Sequence, residues 1–388
     1  MTIQIVHCSD IHLDRRFNFG DPQRSEQRRK DVENNFKKIV DFAIKEKSDL
    51  FLISGDIFDK VNPSNEARSF FVSQIKKLND KEIETILIGG NHDVPKMGEQ
   101  MLAIDTLQSA GLATVFSDSE SFQEKTITIN DEKIQVVGKS YHSKNQTQNP
   151  FSNFNISKHA KYLICLLHGS LVGMNVAPHN PHDSQYNPFG TNDVSDDIDY
   201  LALGHYHNYF ERTKSNTKIC NPGSIEKLSW SESNDQKGFA FIELSNENKK
   251  LEFINLNTRN FQFKEIQLNE KIKNVNDFVI EKINKNSDPE DLLRLTVKGT
   301  ITPEQQKTFK INELAHDANN SYFHVDFDLQ VELEGFGKIF LGKVDSPIQA
   351  FENHLDKQLA KISDPKELEF LQQARNLGTQ YLGAQNDS

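Results

Sequence analysis

The chain has 388 residues, 36% of them hydrophobic and 27 of them Phe, so it is too long for one typical domain and apolar enough to build a core. A formal net charge of −11, from 45 basic and 56 acidic residues, excludes a molecule coated in basic surface for nonspecific duplex binding. A local basic groove and bound cations stay compatible with that balance, and any nucleic-acid affinity is expected to be modest and salt-dependent.

The opening run Thr2-Ile3-Gln4-Ile5-Val6-His7-Cys8 has no basic n-region and no long apolar stretch, so it reads as a strand and not a signal peptide. No segment approaches the apolar length that spans a membrane. Cys8, Cys165 and Cys220 sit at no metal-like spacing and suit reduced thiols in a cytoplasmic protein. The next helix carries Val32, Phe36, Ile39, Val40 and Ala43 on one face, followed by a strand at 50–53, a helix at 65–78 and a strand at 85–88. This alternation predicts a sheet with parallel inner strands covered by helices, and a site at the strands' C-terminal ends. Apolar runs at 133–137, 162–167, 200–203 and 239–244 extend the layered core to about residue 256, and 173–197 reads as a long surface loop.

After Arg259 the pattern changes. A helix at 275–283, a strand at 292–297, a helix from Pro303 and the alternating strand Phe323, Val325, Phe327, Leu329, Val331 describe a small α+β unit. From Pro347, residues Ile348, Phe351, Leu355, Leu359 and Ile362 share one helical face, and a second helix follows Ser363-Asp364-Pro365. This helical hairpin either packs on its own domain or docks another chain. The expected divisions are 1–257, 258–340 and 346–388.

Five motifs end or closely follow apolar strands: Asp10-Ile11-His12, Gly55-Asp56-Ile57-Phe58-Asp59, Gly90-Asn91-His92-Asp93, His168-Gly169 and Gly204-His205-Tyr206-His207. In an extended strand, residues two apart share a face, so Asp10 with His12 and His205 with His207 are expected to ligate together. One such pair says little, because an isolated His is more often structural; all five in order, each after a strand, point to a metal site. Carboxylates, imidazoles and an amide oxygen without thiolate fit two divalent ions such as Mn2+ better than structural zinc. Such a pair, roughly 3.5–4 Å apart, clamps a phosphoryl group and generates a hydroxide nucleophile near neutral pH. Asp56 is the natural bridging carboxylate.

The order DxH, GDxxD, GNHD, H, GHxH resembles the calcineurin-like metallophosphoesterase superfamily over the first 210 or so residues. The opening His7-Cys8-Ser9-Asp10-Ile11-His12-Leu13, the Asn62-Pro63-Ser64 after the second motif, and Asn221-Pro222-Gly223-Ser224 are similar to the SbcD-type DNA repair nucleases. Those are the nuclease subunits of a double-strand-break repair complex that pairs with an SMC-like ABC-type ATPase. The resemblance implies an α/β fold with a layered β-sandwich core flanked by helices, a small α+β capping domain and a C-terminal helical hairpin that docks the ATPase. It implies that Asp10, His12, Asp56 and His207 hold one cation, and that Asp56, Asn91, His168 and His205 hold the other. His92 resembles the family's catalytic histidine, which stabilises or protonates the leaving oxygen, a role that suits an imidazole near neutrality. Mn2+ is the expected metal, with Mg2+ or another divalent ion as the alternative. The implied activity is exonuclease and single-strand endonuclease cleavage of DNA by in-line attack of a metal-activated hydroxide. The resemblance also implies a cytoplasmic, nucleoid-associated protein and a homodimer formed through residues 97–112, where Met101, Leu102, Ile104 and Leu107 offer an apolar surface.

Departures from that pattern mark the open points. Asp59 stands where some members carry His, and either assists the chemistry or holds a ligand histidine. Asp93 either orients His92 or caps the following turn. Arg15 and Arg16 in Asp14-Arg15-Arg16-Phe17, with Asn62, are candidates for phosphate contact, against a solvated loop paired with local acids. His142, His179 and His182 lie outside the motifs, and surface positions are their default. The motif set equally fits a phosphodiesterase for small nucleotides or a phosphoprotein phosphatase. A different class, a DNA-end-binding scaffold for the ATPase, would make catalysis secondary.

Overall fold

The computed structural model describes residues 2–19, 21–95, 101–144, 146–172, 185–245, 248–334 and 337–338, with Leu355, Leu371 and Ala374. Two compact units divide the chain, Met1–Asn260 and Phe261–Ser388. The first contains, in order, β1 (Ile3–Cys8), α1 (Pro22–Lys45), β2 (Leu50–Ser54), α2 (Asn65–Asn79), β3 (Glu84–Ile88), α3 (Asp105–Ser109) and β4 (Thr114–Phe116). It continues with β5 (Gln123–Ile129), β6 (Glu132–Gly138), β7 (Tyr162–His168), β8 (Tyr200–Gly204), β9 (Phe210–Lys214), β10 (Thr217–Asn221), β11 (Gly238–Leu244) and β12 (Lys249–Asn255).

These strands make two six-stranded sheets, ordered β12-β11-β1-β2-β3-β4 and β5-β6-β7-β8-β10-β9. In the first, β1 to β4 run parallel; in the second, β6, β7, β8 and β10 do. Antiparallel strands complete the margins. Parallel strands covered on both faces must be apolar at nearly every position, and β2, β7 and β8 are buried throughout.

Alternate side chains serve different cores. Ile3, Ile5, Leu50, Leu52 and Ile86 meet Ile134, Val136, Ile164, Leu166 and Ala202 in the layer between the sheets. Val6, Cys8, Phe51 and Ile53 face the other way, onto Phe36, Ile39 and Val40 of α1 and Phe71 and Ile75 of α2. Both helices start at a capped first turn: Asp21 accepts from Gln23 N–H ahead of Pro22, and Ser64 accepts from Ala67 N–H.

The second sheet is covered differently on its outer face. Its outer residues Leu163, Cys165, Leu201 and Leu203 pack on Phe151, Phe189, Val194 and Ile198, all from loops. The later part of the 173–197 segment is therefore not simply a surface loop: Phe189 bridges to Leu171 and is buried, on a face that no helix among the described residues seals. His179 and His182 lie outside the described residues.

The second unit contains β13 (Phe261–Leu268), α4 (Val275–Asn284), β14 (Leu292–Ile301), α5 (Pro303–Thr308), α6 (Ile311–Ala318), β15 (His324–Leu333) and β16 (Gly337–Lys338). Its sheet runs β13-β14-β15-β16, the first three strands parallel and the last antiparallel. Val279 and Ile283 of α4 and Leu314 of α6 close over Leu295 and Val297. The helix expected from Pro303 is two short helices broken at Phe309, whose backbone leaves the helical region. Of the stripe expected on the C-terminal hairpin, Ile348, Phe351, Leu359 and Ile362 lie outside the described residues, while Leu355 is helical and buried.

Candidate metal centre

The five motifs lie at the C-terminal ends of β1, β2, β3, β7 and β8, so both sheets deliver side chains to one place. The loop after β1 is laced to the loop after β2: Asp10 N–H donates to Gly55 O (3.1 Å), His12 N–H to Asp56 O (3.0 Å) and Leu13 N–H to Ile57 O (2.9 Å). Asp10 and His12 do converge, but not as neighbours on a strand face. β1 has already ended at Cys8, and Asp10 and His12 both adopt left-handed backbone, φ 50° and 51°. Asp56 (φ 49°) and His205 (φ 108°) are left-handed as well, His205 just beyond the end of β8. Each such non-glycine residue costs roughly 1–2 kcal/mol, and the strain gathers where the polar side chains meet. Two glycines make room. A Cβ on Gly90 would strike the Asp56 carboxylate, and one on Gly204 would strike Ser54 O.

The donor atoms form two groups joined by Asp56, and His92 also brings an atom within 4.8 Å of His12 and Asp56. In the first, Asp10, His12 and His207 bring one atom each within 4.8 Å of one another. His12 Nε2 lies 3.1 Å from His207 Nε2 and 3.7 Å from Asp56 Oδ2. In the second, Asn91 Oδ1 lies 3.0 Å from His168 Nε2 and 3.0 Å from His205 Nδ1, and His168 Nε2 lies 3.5 Å from Asp56 Oδ2. His205 N–H donates to both Asp10 carboxylate oxygens at 3.1 Å, and His92 N–H donates to Asp56 Oδ1 at 2.8 Å.

The far ring nitrogens set the tautomers. His12 Nδ1–H donates to Asp59 Oδ1 (3.1 Å), His207 Nδ1–H to Glu232 Oε1 (3.1 Å) and His168 Nδ1–H to Ser54 O (2.8 Å). Each neutral ring therefore turns an Nε2 lone pair inward, toward other lone pairs and carboxylates. Lone pairs facing at about 3 Å need positive charge between them, a proton or a metal ion. The acidities agree. Burial alone would raise the Asp56 carboxyl, yet the imidazoles of His168, His92 and His12 hold it well below its usual range. Burial opposes charge on His168, but Asp56 overrides it and pushes the imidazole up to about 9. Burial pulls His12 below its ordinary value despite Asp59, whereas Glu232 outweighs burial and raises His207. A buried set of carboxylates, imidazoles and one amide oxygen with inward lone pairs fits divalent cations.

Asp59 faces away from the donor cluster, taking His12 on one side and Arg15 Nη1 (2.8 Å) on the other. Arg15 also donates to Leu228 O (3.4 Å). Arg16 and Asn62 are exposed. His92 is half-buried and its Nδ1–H donates to Asp59 O (2.8 Å), which leaves Nε2 for the cleft. The backbone of Asp59, and not Asp93, thus orients His92. Asp93 accepts the N–H groups of Ile57, Phe58 and Gly90 and stitches the third motif to the second. Burial and the Asp56 charge push its carboxyl up to about 6 against those three bonds. His142 is half-buried beside Ser119. A cavity of about 360 Å³ opens beside His92 and Asn91, lined also by Asp59, Lys60, Tyr141 and Tyr186. Glu232, Lys237, Tyr141 and Tyr186 carry no recognisable motif; the acid-base spacing of Glu232 and Lys237 is the one weak signal they leave.

Residues 3–209, more than half of the chain, match the family model described as calcineurin-like phosphoesterase. The chain belongs to the calcineurin-like phosphoesterase family. The family's divalent metal centre is one that this donor set fits. The chain is 27% identical over 249 residues to the uncharacterized metallophosphoesterase YhaO of Bacillus subtilis, covering 63% of this chain and 58% of that protein. It is 28% identical over 254 residues to the DNA double-strand break repair protein Mre11 of Methanocaldococcus jannaschii, covering 63% of each. It is 26% identical over 308 residues to the protein of that name from Sulfolobus acidocaldarius, covering 77% of this chain and 76% of that one. The chain thus spans less than two thirds of the length of the first two relatives.

Proposed function

We propose that this phosphoesterase is a DNA nuclease of double-strand-break repair, of the SbcD type, working with two divalent cations, Mn2+ foremost. The observation that carries the hydrolytic part is the inward set of lone pairs sharing Asp56. Asp10, His12, Asp56 and His207 hold one cation; Asp56, Asn91, His168 and His205 hold the other. When bound, the two cations polarise the phosphoryl oxygens and activate water for in-line attack. The chain's own part is to place that pair and to move a proton. In its protonated form, His92 keeps Nδ1–H on Asp59 O and donates Nε2–H to the departing oxygen, which takes that proton and leaves the ring neutral. The cavity beside His92 receives the nucleoside next to the scissile phosphate.

The DNA part is supported by the relatives named as double-strand break repair proteins. Exonuclease and single-strand endonuclease cleavage, an SMC-like ABC-type ATPase docked on 346–388, and a cytoplasmic, nucleoid-associated setting belong to the same reading. Among the described residues no helix is long and apolar enough to cross a membrane. Of the apolar residues expected to form a homodimer through 97–112, Leu102, Ile104 and Leu107 are buried in the chain's own core, and Met101 is 71% exposed.

The test is cleavage of defined single- and double-stranded DNA with Mn2+, Mg2+ or Zn2+, with Asp56→Ala as control. Mn2+-dependent cutting that Asp56→Ala abolishes supports the reading. Hydrolysis of model phosphodiesters with DNA left intact overturns its DNA part.

A further inference from the structure

Behind His207 stands a carboxylate from a distant part of the chain. Glu232 closes a short 3-10 turn, Trp230–Glu232, and is 2% exposed. Its Oε1 accepts from His207 Nδ1–H (3.1 Å) and Ser229 Oγ–H (3.0 Å). Its Oε2 accepts from Lys237 Nζ (2.7 Å), Leu228 N–H (3.1 Å) and Ser224 Oγ–H (3.3 Å). A carboxylate this deeply buried keeps its charge only when paired and fully hydrogen-bonded, and Lys237, itself 1% exposed, supplies the pairing. Lys237 also donates to His207 O (2.8 Å), so one ammonium ties both the carboxylate and the backbone of the histidine.

The two facing histidines are backed unequally. Asp59, behind His12, is 23% exposed and leans on an Arg15 that is 28% exposed. Glu232 and Lys237 are sealed in the interior, so their geometry does not depend on solvent or on the cleft. A fixed acceptor at Nδ1 fixes the tautomer and direction of the ring.

We propose that Glu232, locked by Lys237, is a positioning residue of the metal centre: it holds His207 with Nε2 aimed at the cation shared with Asp10 and His12, and so sets the affinity for that cation. This rests on the two-cation reading of the site, and the test separates the two claims. Mn2+ is titrated calorimetrically into the chelator-treated full chain, as wild type, Glu232→Gln, His207→Gln and the double variant. Melting of each metal-free protein reports folding apart from binding.

The wild type is expected to take two Mn2+. Glu232→Gln is expected to weaken one of them by about ten- to a hundredfold and leave the other. In the His207→Gln background the same change should add nothing, because Glu232 acts through that ring. Wild-type affinity in Glu232→Gln, or an equal loss with and without His207, overturns the proposal. A wild type that binds no Mn2+ overturns the two-cation reading instead. Should Glu232→Gln not fold, Glu232→Asp gives the same readout, since it keeps the charge beside Lys237 and shortens the reach to Nδ1.

Discussion

His12 Nε2 and His207 Nε2 face each other at 3.1 Å, and each ring is backed at Nδ1 by a carboxylate, Asp59 and Glu232. Neither nitrogen can donate to the other while both Nδ1–H groups point outward in neutral rings. The contact is stable only around a positive charge, and a proton and a metal ion compete for it.

That competition gives the metal site a pH dependence. In the metal-free protein His168 is raised to about 9 by Asp56, so below that pH a cation must displace its proton. Mn2+ affinity is therefore expected to rise with pH, by about tenfold per unit for one displaced proton, and to level off near pH 9. Calorimetric titrations from about pH 6.5 upward check this; an affinity flat across that range contradicts it.

His92→Gln should leave Mn2+ binding intact and lower kcat on DNA by about 10²- to 10⁴-fold. The loss should be much smaller on a p-nitrophenyl phosphodiester, whose leaving group needs no proton. Equal losses on both substrates would remove His92 from the role of acid.

Gly90→Ala tests the packing beneath the site. Its Cβ has nowhere to go but into the Asp56 carboxylate and backbone N–H. We expect a stability loss of about 1–3 kcal/mol together with loss of Mn2+-dependent activity, read by urea unfolding and phosphodiester hydrolysis. A fully active Gly90→Ala would show that Asp56 is held elsewhere.

His7 makes the fold acid-sensitive apart from the metals. It is buried between the sheets, donating Nε2–H to Ser54 Oγ (2.9 Å) and accepting from Tyr200 Oη–H (2.7 Å), while Ser54 Oγ–H donates to Ala202 O. Burial lowers its pKa from 6.5 to about 3, so between those values the unfolded chain binds the extra proton. Its stability contribution is complete above pH 6.5 and is lost as pH falls toward 3. Between pH 6.5 and 5 that amounts to roughly 2 kcal/mol. Urea unfolding of the chelator-treated protein at both pH values should show this loss, and His7→Gln should flatten it. An identical pH slope in the two proteins contradicts the assignment.

The donor residues were legible because each polar motif interrupts an apolar run at a glycine or a strand end. The way they converge was not. Hydrophobic periodicity carries no sign of φ, so the left-handed Asp10, His12 and His205 looked like ordinary strand continuations. Helix α1 was readable from Val32 to Ala43 because one face is apolar. The loop cover of the second sheet has no period to read, and Phe151 and Phe189 enter the core singly. Glu232 and Asp59 hold their histidines across 25 and 47 residues of chain, a pairing that only the fold reveals.

The central claim is a pair of cations sharing Asp56. Crystals grown with Mn2+ and measured at the manganese absorption edge test it most directly. The account predicts two anomalous peaks flanking Asp56, one beside Asp10, His12 and His207 and the other beside Asn91, His168 and His205. A single peak, or peaks that do not share Asp56, would contradict it.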